Sequence, residues 1–241
     1  MGALKGKVAV ITGSTRGIGR AIAEQLAEAG ATVVVSGRKA DDSERVAADI
    51  ATRHPESRAI GLACDVRSWE NCRDLIAKSM DRLGRIDILI NNAGIGAFAM
   101  VADMEPETWD AVIETNLNSL FYCTHAALPH LRAAGESFVI NIGSLAGKNA
   151  FPNGAAYNAS KFGLIGFSEA LMQEVRYDGI RVAYIMPGSV ATEFNNRTPG
   201  AEDSWRIQPE DVARAVIDIV SYPSRSLTSR IELRPSRPPK K

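Results

Sequence analysis

The chain predicts an α/β protein in which a doubly wound parallel sheet of about seven strands carries helices on both faces. Two observations lead there. Short apolar runs of strand length alternate with longer amphipathic stretches along nearly all 241 residues, and strand-helix-strand alternation builds parallel sheets through right-handed crossovers. A cluster of glycines also sits where the first strand passes into the first helix. The length suits one domain of this class, residues 1–241.

The elements follow in order. Residues 7–11 (KVAVI) are short, apolar and β-branched, a buried strand. They run into TGSTRGIG at 12–19, then into a helix with apolar positions at Ile18, Ile22, Leu26 and Ala29 that stops at Gly30. A second strand at 32–35 ends in Ser36, Gly37 and Arg38. Residues 41–53 make an amphipathic helix, 59–64 a third strand, and 69–83 a helix stopped by Gly84. The fourth strand, 86–90, closes on NNAG at 91–94. One long helix covers 107–134, the fifth strand 138–142, and a second long helix 155–177. The sixth strand, 180–185, leads to Pro187 and Gly188. Residues 193–207 are polar and irregular, 209–221 helical, and 230–233 supply a last strand. The proline-rich 235–241 cannot build a core and reads as a mobile tail.

Composition narrows the function. Apolar residues make up 45% and charged residues 23%, with zero net charge. Nothing in that balance favours a nucleic-acid or membrane surface. The apolar runs are too short to span a bilayer, and residues 1–7 lead into a strand rather than a signal peptide. Cys64, Cys72 and Cys123 lack metal-ligand spacing and read as free thiols of a cytoplasmic protein. His54, His125 and His130 form no metal motif, so no metal is expected.

The chemistry is concentrated between residues 144 and 161, SLAGKNAFPNGAAYNASK. Tyr157 and Lys161 are four apart, on one face of a helix. A free tyrosine has a pKa of about 10, and a nearby cation lowers it, which makes the phenol a usable acid-base group. Ser144 follows a buried strand, where its hydroxyl could hydrogen-bond a substrate carbonyl. In the glycine loop, Gly13, Gly17 and Gly19 permit a tight turn and close approach of a pyrophosphate to a helix N-terminus. The spacing is G-x-x-x-G-x-G, not the commoner dinucleotide fingerprint. An NAD site usually places a carboxylate after the second strand. Arg38 stands there instead, and with Arg16 it could take the 2′-phosphate of NADP. Asp65, ending the third strand, could accept from an adenine amino group.

These residues together resemble the short-chain dehydrogenase/reductase family in its compact, single-domain, Rossmann-type form. The resemblance covers residues 5–220 and rests on six motifs in order: TGSTRGIG at 12–19, NNAG at 91–94, Asn116 in ETNLNS, Ser144, Tyr157 with Lys161, and PGSVAT at 187–192. It implies that Tyr157 is the general acid or base and that Ser144 polarises the substrate oxygen. Lys161 would hold the nicotinamide ribose and depress the Tyr157 pKa. Asn116 would kink its helix and hold a water linking Lys161 to solvent. The cofactor would rest on Gly13, Thr15, Arg16, Gly17, Ile18, Gly19, Arg38, Asp65, Val66, Asn92, Ala93 and Gly94, with Asn91 and Gly94 shaping the cleft floor. Pro187, Gly188, Val190 and Thr192 would contact the nicotinamide. NADP(H) would supply the hydride.

The resemblance further implies a homo-oligomer, expected as a tetramer, through the two long helices and their Ala126, Ala127, Ala156, Ala159, Phe162, Phe167 and Leu171. Residues 193–208, with Phe194, Arg197, Pro199, Gly200 and Trp205, read as a substrate lid suited to a carbonyl compound of mixed character. Phe98, Phe151 and Met186 are candidates for the pocket wall. The leading expectation is an NADP(H)-dependent interconversion of a carbonyl compound and a secondary alcohol. A 3-oxoacyl-(acyl carrier protein) reductase is the alternative, weakened by Asp178 where such enzymes favour a basic residue. The ending TSRIELRP at 228–235 departs from the family's fatty-acid enzymes as well. A non-catalytic NADP sensor would not need the acid-base set. A sugar-nucleotide epimerase would need a different glycine spacing and more chain after Gly188.

Overall fold

The β-branched runs become seven strands of one parallel sheet: β1 Val8–Ile11, β2 Thr32–Gly37, β3 Ala59–Ala63, β4 Ile88–Asn91, β5 Ser137–Ile142, β6 Ile180–Pro187 and β7 Arg230–Leu233. The computed structural model describes residues 3–239. Strand order is β3-β2-β1-β4-β5-β6-β7. Among the described residues seven α-helices accompany them: α1 Gly17–Glu28, α2 Ala40–Arg53, α3 Trp69–Leu83, α4 Pro106–Ile113, α5 Ser119–Ala134, α6 Ala155–Val175 and α7 Pro209–Ser221.

The two-residue period of a strand sorts the core into layers. Ala9 and Ile11 of β1 point into one cluster with Ile22 and Leu26 of α1, Ile50 of α2 and Val216 of α7. Val10, between them, joins the opposite cluster with Leu75 of α3, Leu131 of α5 and Leu171 of α6. Burial on both faces explains why the strands read as continuous apolar runs. The chain order reverses between β1 and β4, which pair at Ala9–Ile88 and Ile11–Ile90. Doubly wound sheets open a crevice at such a point, beyond the carboxyl ends of the strands.

Several boundaries differ from expectation. The long helix expected at 107–134 is interrupted between α4 and α5 by a π-helical turn, Glu114–Asn118. The helix expected to reach 177 ends at Val175, and a 3-10 turn, Arg176–Asp178, leads to Gly179. Strand β4 starts at Ile88 rather than 86, because Asp87 turns its fully buried carboxylate to Val8 N–H (2.9 Å), Lys7 Nζ (3.0 Å) and Arg85 Nη2 (2.6 Å). Of the expected tail, 235–239 has no regular structure and is exposed beyond Pro235, while 240–241 lies outside the described residues. Among the described residues no helix is long and apolar enough to cross a membrane.

Candidate active site

The loops leaving the carboxyl ends of β1 to β6 converge on one cleft of about 370 Å³. The glycine loop forms one wall. Gly13 and Gly17 hold left-handed φ angles of 62° and 54°, which favours glycine. Gly13 and Gly19 also allow close packing. A β-carbon on Gly13 would lie 2.8 Å from Ala93 Cα, and one on Gly19 2.4 Å from Asn92 Nδ2. Asn92 stitches the loop to the β4 end by donating to the carbonyls of Thr12 and Gly13, both at 2.9 Å. A β-carbon on Gly17 would make ordinary contact with Thr192, 3.5 Å away, so here the left-handed φ alone calls for glycine. The α1 N-terminus has no side-chain cap and no acid in its first turn. Its first N–H groups and the positive end of its dipole are therefore free for an anion.

The outer end of this wall is basic. Arg16 and Arg38 line the cleft, are exposed, and form no ion pair among the described residues. Asp65 and Val66 lie there too, with Thr15 and Ile18. The Asp65 carboxylate accepts from Arg67, Nη2 at 2.7 Å and Nε at 3.1 and 3.2 Å. That bonding, and to a smaller degree Arg38, holds Asp65 below the usual carboxylate range. An adenine amino group would therefore share Asp65 with a cation.

The acid-base set sits at the inner end. Ser144 leaves β5 in an extended conformation, and its Oγ accepts from Ala146 N–H at 3.1 Å. Tyr157 and Lys161 follow one turn apart on α6 and line the same cleft. Burial pushes the Tyr157 phenol up, and its hydrogen bond with Ser144 only partly opposes this. Lys161 is 4% exposed, and burial pushes its ammonium down to about 8. Its Nζ donates to the Ile142 carbonyl (3.0 Å) and lies 5.8 Å from the Tyr157 ring centroid. The expected depression of Tyr157 by Lys161 is thus not what this cleft does: desolvation governs both groups.

Asn116 does not line the cleft. It is fully buried in the π-helical turn, accepts from Ile95 N–H (2.8 Å) and donates to Ile95 O (2.9 Å) and Ser160 Oγ (3.1 Å). Ser160 in turn donates to the Tyr157 carbonyl at 2.8 Å. One amide thus ties the loop after β4 to the helical turn carrying Tyr157. A β-carbon on Gly94 would lie 3.4 Å from Asn116 Oδ1 and 3.8 Å from Lys161 Nζ. Asn91, expected on the floor, is instead buried in a ladder with Asn141 (2.9 Å) and Thr124 (3.2 Å).

Pro187, Gly188, Val190 and Thr192 close the far wall. Gly188 N–H donates to Leu233 O at 2.8 Å, and Val190 bridges to Ile207, so the segment 193–206 leaves and returns beside this wall. It is largely irregular, as expected, apart from two short turns, Phe194–Asn196, broken by left-handed Asn195, and Ala201–Asp203. At the end of the second, buried Asp203 accepts from Arg197 (2.7 Å) and Arg206 (2.5 Å). Sequence reasoning missed seven lining residues, Gly37, Cys64, Arg67, Ile95, Thr115, Ile142 and Gly143. Each directly adjoins or nearly adjoins a recognised motif, the one signal that could have found them.

Comparisons with known proteins bear on this geometry. The family model described as short chain dehydrogenase matches residues 7–203. An "Uncharacterized oxidoreductase" of Staphylococcus saprophyticus is 33% identical over 236 residues, covering 96% of this chain and 98% of the relative. An acetoacetyl-CoA reductase of Shinella zoogloeoides is 37% identical over 228 residues, 89% of this chain and 91% of the relative. An alcohol dehydrogenase from the archaeon Thermococcus sibiricus, solved with 5-hydroxy-NADP, superposes with a TM-score of 0.90 at 27% identity, covering 98% of this chain and 99% of that one. With the model matched over most of the length and the Ser144, Tyr157 and Lys161 side chains gathered in one cleft, the chain belongs to the short-chain dehydrogenase family of oxidoreductases.

Proposed function

We propose that the protein is an NADP(H)-dependent oxidoreductase that interconverts a carbonyl compound and a secondary alcohol. The observation that carries this reading is one cleft with Ser144, Tyr157 and Lys161 at its inner end and two unpaired arginines, Arg16 and Arg38, at its outer end. The uncapped α1 N-terminus would take the pyrophosphate, and the arginines the 2′-phosphate. The archaeal alcohol dehydrogenase solved with 5-hydroxy-NADP supports the choice of cofactor. When bound, NADP(H) supplies or accepts the hydride.

The residues themselves manage the proton. Burial pushes the Tyr157 phenol above its ordinary value, so it meets a carbonyl oxygen in its protonated form, suited to donate. Ser144 orients that oxygen, and Lys161 holds the ribose. Asn116 acts one step away, as the tie that positions Ile95 and the Tyr157 turn. Residues 193–208 serve as the lid of a single catalytic unit, 1–241. The exposed Phe121 and Phe162, on α5 and α6, support a homotetramer, testable by mass in solution. The three buried free thiols support a cytoplasmic setting.

The test is fluorescence titration with NADPH and NADH, alongside Arg38→Ala. Tight NADPH binding, weak NADH binding and loss of that preference in the variant are expected. Equal affinities in the parent protein refute the NADP assignment.

A further inference from the structure

We propose that the carbonyl substrate carries an aryl or similarly flat apolar group, gripped by an aromatic clamp around Tyr157. This rests on the carbonyl-reductase reading above and adds the substrate class to it.

Three phenyl rings from three separate segments cluster beside Tyr157, and Phe194 among them lines the cleft. The Phe98 centroid lies 5.6 Å from that of Tyr157 at an interplanar angle of 71°, and Phe194 lies 5.9 Å from it on the lid segment. Phe151 backs Phe98 at 5.9 Å. Phe98 and Phe194 converge above Gly96. A β-carbon there would meet Phe194 Cε1 at 2.8 Å and Phe98 Cζ at 3.1 Å, so any larger residue would push the two ring ends outward. The rings are nevertheless 45%, 42% and 37% exposed at Phe98, Phe151 and Phe194. Apolar surface left open beside an acid-base group is surface that a ligand can cover.

Charge at this end points away from anionic substrates. The lid cations Arg197 and Arg206 are both bound to Asp203. Lys148 is paired with Glu232 at 2.8 Å, and Lys161 donates to a backbone carbonyl. Glu193, next to Phe194, adds a negative charge to the lining. Among the described residues a carboxylate or phosphate on the substrate finds no unpaired side-chain cation at this end, whereas an aryl ring finds edges and faces at stacking distance. The free arginines lie at the cofactor end. The mixed-character substrate expected from a cationic lid is therefore replaced by an apolar one.

The experiment is steady-state NADPH oxidation with acetophenone, butanone, acetoacetate and acetoacetyl-CoA, for the parent protein, Phe194→Ala and Phe194→Leu. The leucine variant keeps apolar volume without the ring, so it reads out stacking if alanine perturbs the lid. Acetophenone should exceed butanone and acetoacetate in kcat/KM by about tenfold, the yield of two aromatic contacts. Its advantage over butanone should shrink in both variants, mainly through KM. Acetoacetate or acetoacetyl-CoA used as well as acetophenone overturns the substrate class and leaves the reductase reading standing. An advantage unchanged in both variants also overturns the clamp. Absence of turnover with every compound overturns the proposal, and absence of NADPH binding in the same preparation takes the underlying reading with it.

Discussion

Lys161 gives the sharpest quantitative prediction. Its ordinary pKa of 10.5 is pushed down to about 8 by burial. A drop of about 2.5 units, at about 1.4 kcal/mol each, means that keeping Lys161 charged costs the fold about 3 kcal/mol at neutral pH. The sign follows from the protons. Below pH 8 the folded and unfolded chains both carry the proton, and the cost is present in full. Between pH 8 and 10.5 the unfolded chain keeps a proton that the folded chain has released, so stability rises with pH. Above 10.5 both forms are neutral and the cost is gone. Lys161→Met removes the charge but also the donor to Ile142 O, leaving a buried carbonyl partnerless at about 1–3 kcal/mol. The variant should therefore be more stable at pH 7 by roughly 0–2 kcal/mol, while losing activity. Urea unfolding of both proteins at pH 7, 8, 9 and 10 checks this. The variant's advantage should fall by about 1.4 kcal/mol per unit above pH 8 and reverse sign. A stability difference that stays constant from pH 7 to 10 refutes the argument that Lys161 is held by desolvation.

Other expectations are direct. Tyr157→Phe should lower turnover by about 10²–10⁴-fold while NADPH still quenches fluorescence in titration. Asn116→Ala strips both Ile95 backbone groups of their partner; a loss of about 2–4 kcal/mol, or about 4–16 °C in Tm, should appear by calorimetry. Asp87→Ala strands Lys7, Arg85 and Val8 N–H, but the two cations reach solvent, so about 2–4 kcal/mol is expected in urea. Burial would raise the Asp87 carboxyl, yet the bonds from Arg85, Val8 and Lys7 outweigh it and hold it below the usual range. Its contribution is thus complete above the ordinary carboxylate pKa and lost as pH falls through the lowered value, a step that Asp87→Ala should abolish.

What could be read from the sequence was local. The limits of α3 and α7 match expectation because short-range chemistry sets them. Ser68 Oγ accepts from Asn71 N–H, Gly84 takes the left-handed turn, and Pro209 opens a helix whose Asp211 accepts from Gln208 N–H. The glycine loop and the Tyr157–Lys161 pair were legible for the same reason, since their spacing lies within one turn or one loop. What stayed hidden depends on residues far apart in the chain. Asn91 meets Asn141 fifty positions on, and no pattern around Asn91 announces it. The Phe98–Phe194 convergence likewise joins residues nearly a hundred positions apart. The direction of the Tyr157 shift was misread because spacing reveals a neighbouring charge but not how much water is removed.

The π-helical turn has one more consequence. The wider turn at Glu114–Asn118 fits one extra residue into about the rotation that four α-helical residues cover, so the sequence periods of α4 and α5 are shifted by one position while their faces stay aligned. Upstream of it Val112 is buried, and downstream Cys123, Ala127 and Leu131 face the sheet. Deleting one residue inside the turn would let a continuous helix form with both of these faces kept on the core. The extra residue therefore serves the Asn116 tie rather than the packing. A single deletion there would spare the core faces and lose the tie.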